Sequence, residues 1–232
     1  MGIVPDVCFG AAPPDLEAAV TGNNLLWYNA ASNGTGSPNP PAISTDVAGT
    51  SQVWVSQTTA TCESPRALLT YTIVDLPVAP SVTDTVHVCL NNPVPDLANF
   101  ANGTDLKWYS DTNTTGSNLS PTFDTSMPTY FNYRVSQTVN GCEGPATDMV
   151  VQVNSLALSG EQVYEVDEGN AVRIPLSTET APDINTPLSV AWKDINGNVV
   201  GTDLTLIHTP AESTTYLAEV TTAEGCFQTY PV

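Results

Sequence analysis

Apolar residues along this chain come in short alternating runs, and no three-to-four spacing lasts long enough for an amphipathic helix. The clearest runs are Leu25-Leu26-Trp27-Tyr28, Leu106-Lys107-Trp108-Tyr109 and Val190-Ala191-Trp192-Lys193. Leu25, Leu106 and Val190 stay apolar, as do Trp27, Trp108 and Trp192; the positions between and after them change among Leu26, Lys107 and Ala191, and among Tyr28, Tyr109 and Lys193. Side chains alternate across a strand, so the first set points inward and the second outward. The three tryptophans are then core anchors, each burying roughly 200 Å². A second strand follows, with Val53 and Val55 inward in one copy and Tyr133 and Val135 in the next; Trp54 takes the outward slot that Arg134 takes in the second copy. A last strand sets Leu69, Tyr71 and Ile73, or Met149, Val151 and Val153, on one face. Leu16 to Val20 also reads as a strand.

These runs belong to a repeat. Trp27 stands 19 positions after Cys8, and Trp108 stands 19 after Cys89. Each copy then carries Val-Ser-Gln-Thr (Val55 to Thr58, Val135 to Thr138), a turn, and a cysteine followed by Glu, at Cys62 and Cys142. Trp192 and Cys226, 34 apart as Trp108 and Cys142 are, repeat the back half. A period of about 80 residues suits a small all-β domain and exceeds most solenoid units. The expected division is 1–77, 78–155 and 156–232: three tandem Ig-like antiparallel β-sandwiches in an extended arrangement. Leu76-Pro77-Val78-Ala79-Pro80 reads as a stiff linker, whereas Asn154-Ser155 has neither proline nor a glycine run. Strands of eight to ten residues measure about 30 Å, so three units end to end make a rod of about 100 Å. The third unit has Arg173 where the first cysteine belongs and a final strand of few residues after Cys226, which reads as a cut made by the ends chosen for the chain. Met1-Gly2 reads as an expression start on a piece of a longer exported protein.

Five basic against 24 acidic residues give a net charge of −19. That excludes a nucleic-acid surface, which needs basic patches, and an anionic membrane surface. The acidic residues are dispersed and serve solubility; Asp75, Asp84, Asp167 and Glu168 near the junctions are the calcium candidates. No run of 18 apolar residues spans a membrane. Four cysteines pair by repeat position as Cys8–Cys62 and Cys89–Cys142, each bridge contributing about 4 kcal/mol, and imply an oxidising, extracytoplasmic setting. Cys226 is left as a free, partly buried thiol. With no C-x-x-C pair and two histidines, metal binding by the cysteines is excluded.

No catalytic constellation is present. His87 and His208 lie in different units and outside any nucleophile motif. Asp194-Ile195-Asn196-Gly197-Asn198 imitates a calcium loop, but glycine is fourth instead of sixth, so it reads as an Asn-Gly hairpin. Isopeptide bonds need a buried lysine, and Lys107 and Lys193 are placed outward. Outward Trp54, with Tyr28, is the surface-contact candidate, against the alternative that Trp54 lies over a neighbouring strand or an inter-domain seam.

Val-Cys near the start, Leu-x-Trp-Tyr, a Gly/Pro-rich loop, Val-Ser-Gln-Thr and Cys-Glu-x-Pro together resemble the Ig-like repeats of large Bacteroidetes surface proteins, most of all the giant gliding-motility adhesins of the SprB type. The resemblance covers the first two units well and the third more loosely. It implies export by the type IX system, a place on the bacterial cell surface, and a role in spacing, presentation or adhesion. The resulting expectation is a non-catalytic, monomeric, disulfide-locked spacer with no resident cofactor, whose partners are neighbouring repeats and an external surface or polysaccharide. The alternatives are a carbohydrate-binding module using Trp54 and Tyr28, or accessory β-domains of a secreted hydrolase.

Overall fold

The computed structural model describes residues 4–60, 62–110, 112–182 and 188–232. Its contacts divide it into two compact units. One is Met1–Pro80 with Gly103–Leu106 and Ser136–Ala146; the other is Ser81–Asn102, Lys107–Val135 and Thr147–Val232.

The first repeat contributes β1 (Val7–Cys8), β2 (Leu25–Tyr28), β3 (Gly49–Gln57) and β4 (Ala67–Val74), in sheet order β1-β4-β3-β2. β1 runs parallel to β4, Val7 facing Ile73 and Cys8 facing Val74; the other pairs are antiparallel. Alternation works as the side-chain period dictates: Val53 and Val55 are buried and Trp54 between them is half-buried. Their core holds Val4, Leu16, Ala19, Trp27 and Leu69 as well. Leu16 to Val20, expected as a strand, is a turn. Asp15 Oδ1 accepts from the backbone N–H groups of Glu17 and Ala18 at 2.9 and 3.2 Å, and the Val20 N–H reaches the Glu17 carbonyl at 3.1 Å. That winding brings Leu16 and Ala19, three positions apart, onto the core face together.

The chain continues through β5 (Ser81–Val82), β6 (Thr85–Cys89), a short 3₁₀ turn at Leu97–Phe100, β7 (Ala101–Asn102), β8 (Leu106–Ser110), β9 (Asn113–Ser117), β10 (Thr129–Val139), β11 (Cys142–Glu143), β12 (Thr147–Ser159), β13 (Val172–Pro175), β14 (Ser177–Ala181), β15 (Leu188–Lys193), β16 (Val199–Gly201), β17 (Thr205–His208), β18 (Leu217–Thr222) and β19 (Phe227–Pro231). In the second repeat β6 lies parallel to β12, Val86 facing Val151 and Val88 facing Val153, and β12, β10, β8 and β9 follow in order. The sequence repeat is therefore a repeat of strand order, first strand parallel to last. Val135, Met149, Val151 and Val153 are fully buried there.

β12 does not stop at the end of the second repeat. Its residues Thr129-facing Val153 and earlier pair with β10, and Ser155 to Ser159 pair with β14. The expected boundary at 155 and 156 thus falls inside one 13-residue strand, where the backbone hydrogen bonds pass from one sheet to the next without a linker. The third repeat is a sandwich: β16-β15-β18-β19 on one side, with β13–β17 and the β12–β14 pair supplying the rest. Leu156, Val172, Ile174, Val190, Trp192, Leu206, Ala218, Val220 and Cys226 form its core. β19 spans five residues against eight in β4. The whole is all-β, an array of Ig-like sandwiches; the expected purely antiparallel sheets are corrected in the first two repeats, where the first strand lies parallel to the last.

The hairpin of Ser136–Ala146 belongs to the first compact unit. Val139 faces Cys142 across its turn, and Asn140 and Gly141 have φ of 51° and 80°. Both turn residues need the left-handed region in this hairpin type, which is why Asn-Gly marks it. The hairpin grips the proline segment. Gln137 Nε2 donates to the Val78 carbonyl at 2.8 Å and Gln137 Oε1 accepts from the Thr104 N–H at 2.8 Å. A Cβ on Gly144 would collide with the Pro77 carbonyl oxygen.

Candidate functional site: staggered disulfides and their surroundings

The bridges are Cys8–Cys142 and Cys89–Cys226, each with Cα atoms 5.5 Å apart. This corrects the local pairing. Cys8 is bonded to Cys142 instead of Cys62, Cys89 to Cys226 instead of Cys142, and Cys226 is a half-cystine buried in a core, not a thiol. Cys62 is exposed and takes part in neither bridge. The reason is strand direction. Because β1 is parallel to β4, Cys8 sits beside Val74, where β4 ends. Cys62 lies in the turn before β4 begins, next to the Thr58–Glu63 bridge. The two are separated by the length of β4, roughly 25 Å at ~3.3 Å per residue, and a disulfide needs Cα atoms within about 7 Å. The second repeat repeats the geometry: Cys89 faces Asn154 at the far end of its stretch of β12, and Cys142 precedes the near end. What meets each first cysteine is the turn of the following repeat. Cys226 Sγ lies 3.8 Å from the Asn154 carbonyl oxygen, and Cys8 Sγ lies 3.8 Å from that of Gly141.

The polar motif beside each cysteine has a structural task that the sequence reading missed. Ser56 Oγ donates to Glu63 Oε1 at 2.7 Å, and Ser136 Oγ donates to Glu143 Oε1 at 2.5 Å. The Ser of Val-Ser-Gln-Thr thus holds the Glu that follows the cysteine, pinning the turn. The signal was available: two polar residues seven apart, present in both copies.

In the first repeat the clasp also takes in Tyr28 and Arg66. Tyr28 Oη donates to Glu63 Oε1 at 2.5 Å, and the Arg66 guanidinium lies 3.2 Å above the Tyr28 ring centroid. Arg66 Nη1 donates onward to the Ala30 and Asn33 carbonyls at 2.9 and 2.7 Å. Hydrogen bonds from Tyr28, then from Ser56, hold the Glu63 carboxyl below its ordinary range; desolvation opposes them, and Arg66 adds a lesser attraction. Tyr28 is consequently only 6% exposed, which corrects its placement as an outward contact: Arg66 covers the face that alternation turned to solvent. Trp54 is half-buried and stands in register between Tyr28 and Leu68, the latter 43% exposed.

Trp27, Trp108 and Trp192 are 2%, 3% and 0% exposed. Trp192 Nε1 donates to the Asp203 carbonyl at 2.8 Å. Trp27 Nε1 is buried with no acceptor among the described residues. Lys193 pairs with Glu219 at 2.6 Å. His208 Nδ1 lies 2.7 Å from Tyr216 Oη, and His87 Nδ1 3.1 Å from Asn154 Nδ2. The Asp194 carboxylate accepts from the Asn198 and Asn196 N–H groups at 2.9 Å each and from Asn198 Nδ2 at 3.0 Å. Those bonds, Asn198's first, keep it ionised below its ordinary range and use its oxygens inside the turn.

Among the described residues no three His, Cys, Asp or Glu side chains converge as metal ligands, and Asp75, Asp84, Asp167 and Glu168 gather no such group. An open groove of about 730 Å³ in the third repeat is lined by Glu165, Asp167, Glu168 and Glu212 with Val172 and Ile174 at its floor. Among the described residues no helix is long and apolar enough to cross a membrane.

No family model matches the chain, and no curated protein matches it. Among solved structures it is similar to extracellular domains 3–5 of Drosophila OTK, at 12% identity over 100% of this chain and 94% of that one, TM-score 0.32. It is similar to the insect immune protein hemolin at 15% identity, over 94% and 68%, TM-score 0.30, and to fibronectin(III)-like modules of Clostridium thermocellum CbhA at 15%, over 67% and 88%, TM-score 0.29. The assignment of fold rests on the strand order described above, not on these matches.

Proposed function

We propose that this chain is a non-catalytic, load-bearing spacer in a bacterial cell-surface adhesin, serving adhesion or gliding motility outside the cell. The observation that carries the reading is covalent: each bridge joins the first cysteine of one repeat to the turn of the next. Long-range bridges of this kind suit an oxidising compartment and a segment that must not come apart when pulled. The acidic surface keeps it soluble and self-repelling. The bacterial and gliding-motility part of the reading is supported by the Val-Ser-Gln-Thr and Cys-Glu-x-Pro repeat pattern. Adhesion is also the theme of one structural neighbour, hemolin, described as bearing on homophilic adhesion.

Small-angle scattering with and without a chelator tests it. A spacer gives an elongated particle of about 100 Å, unchanged by chelation. A compact particle overturns the reading, and a rod that softens on chelation moves the acidic residues into a calcium role. A glycan-binding reading has one observation in its favour, half-buried Trp54 beside exposed Leu68. Glycan-array binding lost in Trp54→Ala would put that reading in place of the spacer.

A further inference from the structure

We infer that the two overlapping bridges make the chain an extension limiter, in which the middle segment, Cys89 to Cys142, is the shortest covalent tether between the two ends. The bridges are not nested side by side: Cys8–Cys142 and Cys89–Cys226 interleave, so the stretch between Cys89 and Cys142 lies inside both loops. Three covalent routes then run from Cys8 to Cys226 besides the full backbone. One follows the 81 residues from Cys8 to Cys89 and crosses the second bridge; one crosses the first bridge and follows the 84 residues from Cys142 to Cys226. The third crosses both bridges and uses only the 53 residues between Cys142 and Cys89, traversed backwards.

The shortest route sets the limit. Fully drawn out, 53 residues reach roughly 175–190 Å, with each bridge adding 5.5 Å between its Cα atoms. The reduced chain offers 218 residues between Cys8 and Cys226, roughly 720–780 Å. Once the middle segment is taut, the 81- and 84-residue segments that carry most of the first and third repeats remain slack. They cannot be pulled straight: each is held between ends no farther apart than the taut middle segment and one bridge, roughly 180–195 Å, against the roughly 270–300 Å that 81 to 84 residues would span. The local pairing that the repeat suggests would behave differently. It would leave 27 residues from Cys62 to Cys89 and 84 from Cys142 to Cys226 in line with the force, roughly 370–400 Å of slack. Strand direction, by sending each first cysteine to the next repeat, halves that length.

The limit follows from connectivity alone; only its use rests on the load-bearing reading. The test is single-molecule stretching of the whole chain, with handles attached by peptide ligation so that no thiol is consumed. Three samples separate the possibilities: oxidised chain, reduced chain, and the Cys89→Ser, Cys226→Ser double variant. The expected lengths between the bridge positions at full extension are those of 53, 218 and 84 residues, so reduction lengthens the tether about fourfold. Full extension reads the same whether or not the variant folds. An oxidised chain that reaches the length of 111 residues, or a disulfide peptide map showing Cys8 joined to Cys62, overturns the inference. If the limit is found but scattering gives a compact particle, the spacer reading fails and the limiter stands.

Discussion

The first and third repeats are built on the same tryptophan and differ in what their cysteine turn receives. In the third, Cys226 is bonded to Cys89 and buried against the Asn154 carbonyl, and the turn is part of the core. In the first, Cys62 stands in the same turn and is exposed. There the turn is closed from outside by the Tyr28, Glu63 and Arg66 clasp. The third repeat has Lys193 at the Tyr28 position, paired with Glu219 instead. The tryptophans differ too: Trp192 donates to Asp203, and Trp27 has no acceptor among the described residues. One sequence pattern therefore yields a turn sealed covalently by the preceding repeat in one place, and a turn sealed by side chains in the other.

The comparison breaks most sharply at the bridge. Replacing both Cys89 and Cys226 by Ser releases a loop of 137 residues, and the chain-entropy relation puts the loss at about 5 kcal/mol. Urea unfolding followed by Trp fluorescence should show the transition of the third repeat moving to much lower denaturant; an unmoved midpoint would mean the bridge is dispensable there. A smaller contrast separates the two tryptophans. Trp192→Phe removes buried volume and leaves the Asp203 carbonyl without its donor, whereas Trp27→Phe removes a donor that has no acceptor among the described residues. The first should cost more than the second by about 1 kcal/mol, read from paired denaturation curves; equal losses would show that Trp27 Nε1 is satisfied in solution.

The smallest effect concerns the clasp and pH. Glu63 is held below its ordinary range by hydrogen bonds from Tyr28 and Ser56. A depressed folded value means its contribution is complete at neutral pH and is lost as pH falls from the ordinary carboxylate range through the lowered one. Melting temperature of the wild type should therefore drop on acidification by more than that of Glu63→Gln, which has no such proton to take up. Parallel profiles would remove Glu63 from the acid response. Asp194, lowered by its Asn198 bonds, is the corresponding group in the third repeat, so Asp194→Asn compares the two turns directly.

Much of the fold could be read from local pattern. The alternation at Val53 to Val55 and at Met149 to Val153 appears in the sheets as written, because side chains two apart share a face whatever the partner strand. Asn140-Gly141 makes a tight turn because only residues tolerant of positive φ serve there. Leu16 to Val20 misled because a short apolar run does not distinguish a strand from a turn; the Asp15 carboxylate, two and three residues ahead of the N–H groups it accepts, decided for the turn. Tyr28 misled because alternation tells which face a residue leaves by, not whether Arg66 and Glu63 will cover it. The cysteine count held a hint that went unused. Two first cysteines and three turn cysteines can be matched within repeats, leaving Cys226 over, or between repeats, leaving Cys62 out of both bridges. Nothing local chooses between them.

What the sequence determined by itself is what short-range sterics control: strands in place of helices, the inward tryptophans, the Asn-Gly turn and the repeat of the pattern. What only the tertiary structure decided is the covalent wiring. A first strand parallel to the last carries Cys8 and Cys89 to the far end of their sheets, a strand length from the turn of their own repeat and within bonding distance of the next. Strand direction is set by pairing between residues far apart in the chain, and so no spacing of cysteines along it could express that choice.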